Sequence, residues 1–284
     1  MAIKIGASLL SWVLPKWTPE SGKYAIEQTA SHGFDLLEIL LPNSMEFDAK
    51  AVKPLLKKNG LGVVCSLNLP KSAHIPFYPK EALHLIKQAL EKTALLDTDF
   101  LGGVLHGGIG CFSELPLTDE EADRVVAVWQ EAADYAQELG IHIGIEPVNR
   151  YESYVCNTAG NVLSLIARTG KENLGLHLDT FHMNIEENNF YDPVVKADKK
   201  LRHIHMTDSH RGMLGEGTVN WDELFKGIKA IHFQGNLVLE NFSSSVPGMQ
   251  SAVSLWQKSP YDAEELATGS LRFVHAMLER YGIK

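Results

Sequence analysis

Short hydrophobic runs recur along the whole chain, each followed by polar turn residues and then by a longer amphipathic stretch. The short runs read as buried strands and the amphipathic stretches as helices. Strands are expected from Ile3 to Leu10, Phe34 to Leu41, Gly62 to Leu67, Phe100 to His106 and His142 to Glu146. Three more are expected to end at Asp179, His205 and Glu240. Helix starts carry their own signals. Thr18-Pro19-Glu20 sets a capping hydroxyl, a proline in the first turn and an acid near the positive dipole end. That helix should stop near His32-Gly33. Further helices should open at Phe47-Asp48, Pro79, Thr118, Thr158, Asp192-Pro193, Asn220 and Asp262. Asn59-Gly60, Leu96, Gly140 and Tyr281 mark ends.

Eight strands alternating with eight helices demand a parallel sheet with right-handed crossovers. In 284 residues that pattern predicts an α/β fold, a (β/α)8 TIM barrel, as a single domain over residues 1–284. An open doubly wound sheet is the alternative. No glycine-rich dinucleotide turn follows the first strand.

In such barrels chemistry sits at the carboxyl ends of the strands. Ile143-Gly144-Ile145 runs into Glu146, and Leu176-His177-Leu178 into Asp179. Leu201-Arg202-His203-Ile204 runs into His205, and Leu237-Val238-Leu239 into Glu240. Charged groups are seldom buried unless paired or bound to metal. Three carboxylates and one imidazole at matching strand ends therefore point to one shared cation. An oxygen-rich set suits Mg or Mn, and the single imidazole also admits Co or Fe. Side chains two apart share a strand face. His142, Gly144, His177 and His203 should therefore point inward, the histidines as hydrogen-bonded core groups too deep to reach the cation. The following loops, Asn149-Arg150-Tyr151-Glu152, Thr180 to Asn184 and Asp208 to Gly212, bring polar groups that can bind hydroxyls and a carbonyl. Gly212, Gly215 and Gly217 fit either tight turns or a phosphate cradle. Trp12, Phe112 and Phe242 follow strand ends and fit either packing or a pocket wall.

Charge and composition narrow the class. The net charge is −9 with no basic run, which argues against nucleic acid as a partner. Cys65, Cys111 and Cys156 lie far apart, as expected of unreactive thiols in a reducing cytoplasm. Met1 to Gly6 leads straight into a strand, so neither a signal peptide nor a membrane partner is expected.

The segments GIEPVNRYESYVCNT, LDTFHMNIEE, HIHMTDSHRGMLGEGTVNW and LENFSSSV together resemble the D-tagatose 3-epimerase family. That group includes D-psicose (D-allulose) and L-ribulose 3-epimerases, within the xylose-isomerase-like barrels. The resemblance is sharpest from Gly144 to Val246. It implies that Glu146, Asp179, His205 and Glu240 hold a divalent metal, Mn2+ first, with Co2+ and Mg2+ as alternatives. It implies that Glu146 and Glu240 are the catalytic acid–base pair. It further implies that Glu152, His182 and Arg211 hold the first carbons of a free 2-ketose, and that the enzyme is a homodimer or homotetramer. Two stretches depart from the family pattern: Met206-Thr207-Asp208 after His205, and His106-Gly107-Gly108 after the fourth strand. An aldose–ketose isomerase of the hydroxypyruvate isomerase type, or an inosose dehydratase, would use similar parts. An endonuclease-IV-like barrel would need more ligands and a basic groove. A non-catalytic sugar-binding barrel would not need two opposed glutamates.

Overall fold

Strands that are apolar on both faces pair best in a parallel sheet covered by helices. The computed structural model describes residues 3–284 and shows that arrangement. Met1 and Ala2, named above, lie outside the described residues. The strands are β1 (Lys4–Ser8), β2 (Leu36–Leu40), β3 (Gly62–Ser66), β4 (Phe100–Gly102), β5 (His142–Ile145), β6 (Leu174–Asp179), β7 (Leu201–Met206) and β8 (Asn236–Leu239). They pair in chain order, and β8 closes in parallel on β1 to complete the barrel. Around it stand α1 (Pro19–Ser31), α2 (Ala49–Lys58), α3 (Pro79–Leu95), α4 (Asp119–Glu138), α5 (Ala159–Thr169), α6 (Thr180–Glu186), α7 (Asp192–Ala197), α8 (Trp221–Ala230), α9 (Met249–Ala252) and α10 (Ala263–Tyr281).

The expected caps form. The Thr18 hydroxyl accepts from the Ser21 N–H at 3.1 Å, and Asp262 accepts from the Glu265 N–H at 2.8 Å. Each such cap contributes about 1 kcal/mol. Several expectations need correction. Among the described residues ten α-helices stand where eight are expected, α6 and α9 being the additions, and the first strand stops at Ser8 rather than Leu10. The fourth strand stops at Gly102 rather than His106. Gly103 takes φ 115°, which an L side chain rarely adopts, and the Val104 N–H then turns to the Asn68 side chain at 3.3 Å. The stretch Thr180 to Asn184 is helix α6 rather than loop. Asp179 ends β6 and caps that helix, accepting from the Phe181 N–H at 2.7 Å.

The barrel interior is layered. Leu36, Val64, Phe100 and Val238 form an apolar plug toward the amino-terminal end. The Phe100 ring stacks on His203, with centroids 5.0 Å apart and planes 6° from parallel. Glycine is required at 144, because a Cβ there would lie 2.6 Å from the Phe100 ring. His177 and His203 lie fully buried in the layer above the plug. His142 does not join that layer: it is half-buried at the amino-terminal mouth, beside Phe100 and Arg202.

At the opposite end, fully buried His74 ties three loops together. Its Nδ1 accepts from the Gly108 N–H at 3.2 Å, and its Nε2 lies 3.3 Å from the Tyr154 hydroxyl. That hydroxyl donates to Glu121 at 2.8 Å. Burial lowers the His74 pKa to about 4, against the pull of Glu121. The folded value lies below the unfolded one, so its contribution is complete above pH ~6.5 and lost as pH falls toward ~4. Urea denaturation of metal-free protein at about pH 7.5 and pH 5 should show this loss, at most ~1.4 kcal/mol per pH unit. His74→Gln should flatten that pH dependence, whereas parallel curves for the two proteins would exclude the assignment.

Candidate metal centre and substrate cavity

The barrel register carries the four strand-end residues to one place. Asp179 pairs with His205 across β6 and β7. Glu146, Asp179 and His205 each bring a ligand atom within 4.8 Å of the others. Nδ1 of His205 lies 3.6 Å from Oε1 of Glu146 and 3.5 Å from Oε2 of Glu240. All four side chains are buried. Nη1 of Arg211 donates to Asp179 Oδ2 at 2.8 Å and to Glu240 Oε2 at 2.6 Å.

Burying this much negative charge perturbs every member. Burial pushes Glu240 up to about 8, against lowering by His205 and Arg211. Glu146 is raised as well, chiefly by burial. Burial would also raise Asp179, but Arg211, His182 and His205 together hold it below the usual range. Burial opposes charge on His205, and Glu38 and Glu240 outweigh it, so its pKa lies well above that of a free imidazole. The cluster thus demands positive charge between these groups. His205 Nδ1 is buried there with no hydrogen-bond partner. One orphaned imidazole nitrogen among three carboxylates is a donor set that fits Mn2+, Co2+ or Mg2+.

The remaining predicted site residues converge beside this cluster. Asn149 organises them. Its side-chain amide donates to Glu152 Oε1 at 3.0 Å and lies 2.8 Å from His182 Nδ1. Its backbone N–H donates to the same ring nitrogen at 3.1 Å. Burial lowers the His182 pKa to about 3 despite Asp179, so the ring is neutral and its proton sits on Nε2. Nη2 of Arg211 stands 3.4 Å from that Nε2. With Nδ1 accepting from Asn149, both groups are donors and share no bond, and both residues line the cavity. Arg211 takes φ 59° and lies 4.1 Å from the Phe181 ring and 5.0 Å from that of Phe242. A cavity of about 610 Å3 opens above, with Leu10, Val104, Ile109 and Phe242 among its apolar lining and Ser66 and Asn68 among its polar lining.

Several candidates go elsewhere. Asp208 is fully buried and accepts from the Ser209 and Gly215 N–H groups and from Trp221 Nε1, so it ties its own loop. Gly215 thereby serves the turn and not a phosphate. Trp12 is buried against α1, bonded to Thr29, and Phe112 is exposed; only Phe242 of the three aromatics lines the cavity. His177 is not hydrogen-bonded as expected, for neither ring nitrogen has a partner, and Nδ1 comes within 3.8 Å of Glu146.

Glu38 on β2 was absent from the sequence-based set. It is 2% exposed, with Oε2 2.9 Å from His205 Nε2 and 2.7 Å from His203 Nε2. Burial raises its pKa, yet the two histidines hold it well below the usual carboxylate range. The signal was present in Leu36-Leu37-Glu38-Ile39-Leu40, a single charge inside an apolar strand.

Chelator-treated protein should gain stability on titration with Mn2+. At about one hundred times Kd the gain should be ~2.7 kcal/mol by thermal or chemical denaturation. Asp179→Asn should abolish most of it, while an unchanged response would remove Asp179 from the ligand set.

A family model for xylose isomerase-like TIM barrels matches residues 26–282. The ketose 3-epimerase of Arthrobacter globiformis is 34% identical over 282 residues, covering 97% of each chain. The L-ribulose 3-epimerase of Methylomonas sp. (strain DH-1) is 32% identical over 278 residues, covering 96% of each. The crystal structure of a D-allulose 3-epimerase from Methylomonas sp. in complex with D-allulose superposes with a TM-score of 0.91 at 32% identity, covering 97% of each chain. Among the described residues no helix is long and apolar enough to cross a membrane. The chain belongs to the xylose isomerase-like TIM barrel family, in the group that holds the ketose 3-epimerases and L-ribulose 3-epimerases.

Proposed function

We propose that the protein is a metal-dependent ketose 3-epimerase that inverts C3 of a free 2-ketose. One observation carries the reading: two buried glutamates, Glu146 and Glu240, flank the same unpartnered His205 nitrogen on the floor of the cavity. The full-length likeness to curated ketose 3-epimerases agrees with it. We assign Glu146, Asp179, His205 and Glu240 as ligands of Mn2+, with Co2+ or Mg2+ as alternatives. The working form we propose is a cytoplasmic homodimer or homotetramer.

The proton on C3 of a 2-ketose is acidified by the neighbouring C2 carbonyl. These four residues would hold a divalent cation, which would supply Lewis acidity to the site. One glutamate takes the C3 proton from one face. The other returns a proton to the opposite face, which inverts the centre. Burial raises the pKa of both above that of an ordinary carboxylate. Negative charge develops at O2 as the proton leaves. The His182 Nε2–H and Arg211 Nη2–H, 3.4 Å apart at the cavity, would donate to that oxygen. Glu152 would accept from a sugar hydroxyl, kept in place by Asn149. Among the described residues lining the cavity, Arg211 carries the one guanidinium or ammonium group, already paired to Asp179 and Glu240. That supports a neutral sugar over a sugar phosphate.

Turnover in D2O should place deuterium on C3 of the product and leave C1 unlabelled, as read by NMR. Glu146→Gln and Glu240→Gln should each lose at least ~10²–10⁴ in kcat. Label at C1 would favour an aldose–ketose isomerase, and near-native turnover by both variants would sink the two-glutamate scheme.

Free ketohexoses and ketopentoses should be turned over with kcat/KM at or above that of their phosphates. A large preference for the phosphorylated sugar, measured by chromatography of products, would reverse the choice of a free sugar.

A further inference from the structure

The floor of the cavity rests on a carboxylate that none of the roles above uses. Glu38 comes from β2, across the barrel from the β7 histidines it touches. Its Oε2 lies 2.9 Å from His205 Nε2 in hydrogen-bond geometry. The same oxygen lies 2.7 Å from His203 Nε2. A carboxylate only accepts hydrogen bonds, so His205 Nε2 must carry the proton in this contact. The neutral ring then bears its lone pair on Nδ1. That nitrogen is the one buried without a partner between Glu146 and Glu240.

We propose that Glu38 is a positioning residue for the metal centre: it fixes the tautomer and plane of His205, so that Nδ1 faces the cation. A carboxylate behind a ligating imidazole orients the ring and raises its basicity, and its loss typically weakens metal affinity 10–100-fold. The neighbourhood keeps the ring from turning. His177 packs edge-on to His205 with centroids 4.2 Å apart, and His203 does the same at 5.2 Å. His203 in turn stacks on Phe100 in the apolar plug. Glu38 acts through His205, and no role in proton transfer to substrate is assigned to it.

The inference rests on the metal reading above, and the test separates the two. Mn2+ is titrated calorimetrically into chelator-stripped wild type, Glu38→Gln and Glu38→Ala, with urea denaturation of each metal-free protein as the control for folding. Glu38→Gln should bind Mn2+ about 10–100-fold more weakly while folded, and Glu38→Ala at least as weakly. A folded Glu38→Gln that binds within about twofold of wild type overturns the inference. Should both variants fail to fold, the wild type still answers. Long-range 1H–15N correlation of the Mg2+-loaded wild-type protein should show His205 protonated on Nε2 and bare on Nδ1. The opposite tautomer overturns the inference with the metal reading intact. Wild type that takes up no Mn2+ overturns the metal reading and this inference with it.

Discussion

The structure depends on keeping several carboxylates buried around one imidazole. Glu38, Glu146, Asp179 and Glu240 all lie within reach of His205 or of Arg211. Two like charges about 4 Å apart repel by about 4 kcal/mol at an effective dielectric near 20. A whole domain is stable by only about 5–15 kcal/mol. Such a cluster therefore needs matching positive charge, and its groups respond accordingly. Glu146 and Glu240 move toward their protonated forms, and His205 and Arg211 hold their protons more tightly. Fold and chemistry meet in this balance: the arrangement that costs stability is the one suited to a divalent cation and to carboxyls that exchange protons.

Much of this was legible in the sequence because barrel geometry is regular. Strand ends line up, so a repeated rule of apolar run followed by acid or histidine located Glu146, Asp179, His205 and Glu240. Helix starts were legible for a local reason: Thr18, Thr118 and Asp262 cap with side-chain bonds that span only three residues. Glu38 escaped the rule because it sits inside β2, two residues short of its end, and its partners come from β7. No local pattern links residues 167 positions apart. Asp208 failed in the opposite sense. It stands in the right place after β7, yet its oxygens are taken by its own loop. Composition cannot tell a carboxylate that faces a cavity from one that folds a turn.

Arg211 shows how a loop residue can be placed as firmly as one on a strand. Its left-handed backbone is held by the Arg211 N–H bond to Asp208 at 2.9 Å and by the Phe242 N–H bond to its carbonyl at 2.7 Å. Two aromatic rings lie against the guanidinium. A residue in this backbone region costs of order 1–3 kcal/mol and persists where its surroundings over-determine it. Phe181 contributes one ring from α6, whose start Asp179 caps. The same carboxylate thus faces the cluster around His205, begins the helix that carries His182, and pairs with the arginine. Replacing it would disturb the cluster, the start of α6 and the arginine together, so its effect cannot be read as the loss of a single contact.

The layers beneath explain why the centre can be so exact in the middle of a barrel. Glycine at 144 makes room for the Phe100 ring, and glycine at 102 makes room for His177, whose Nδ1 would lie 2.9 Å from a Cβ there. Phe100 supports His203, and His177 and His203 brace His205 edge-on. Each layer is packed against the one below, and close packing transmits small displacements rather than absorbing them. A side chain added at either glycine would push first on an aromatic ring or an imidazole and then on His205. His205 is thus held from below by the room left at two glycines as well as from the side by Glu38. In this barrel the apolar plug and the polar floor are one mechanical unit.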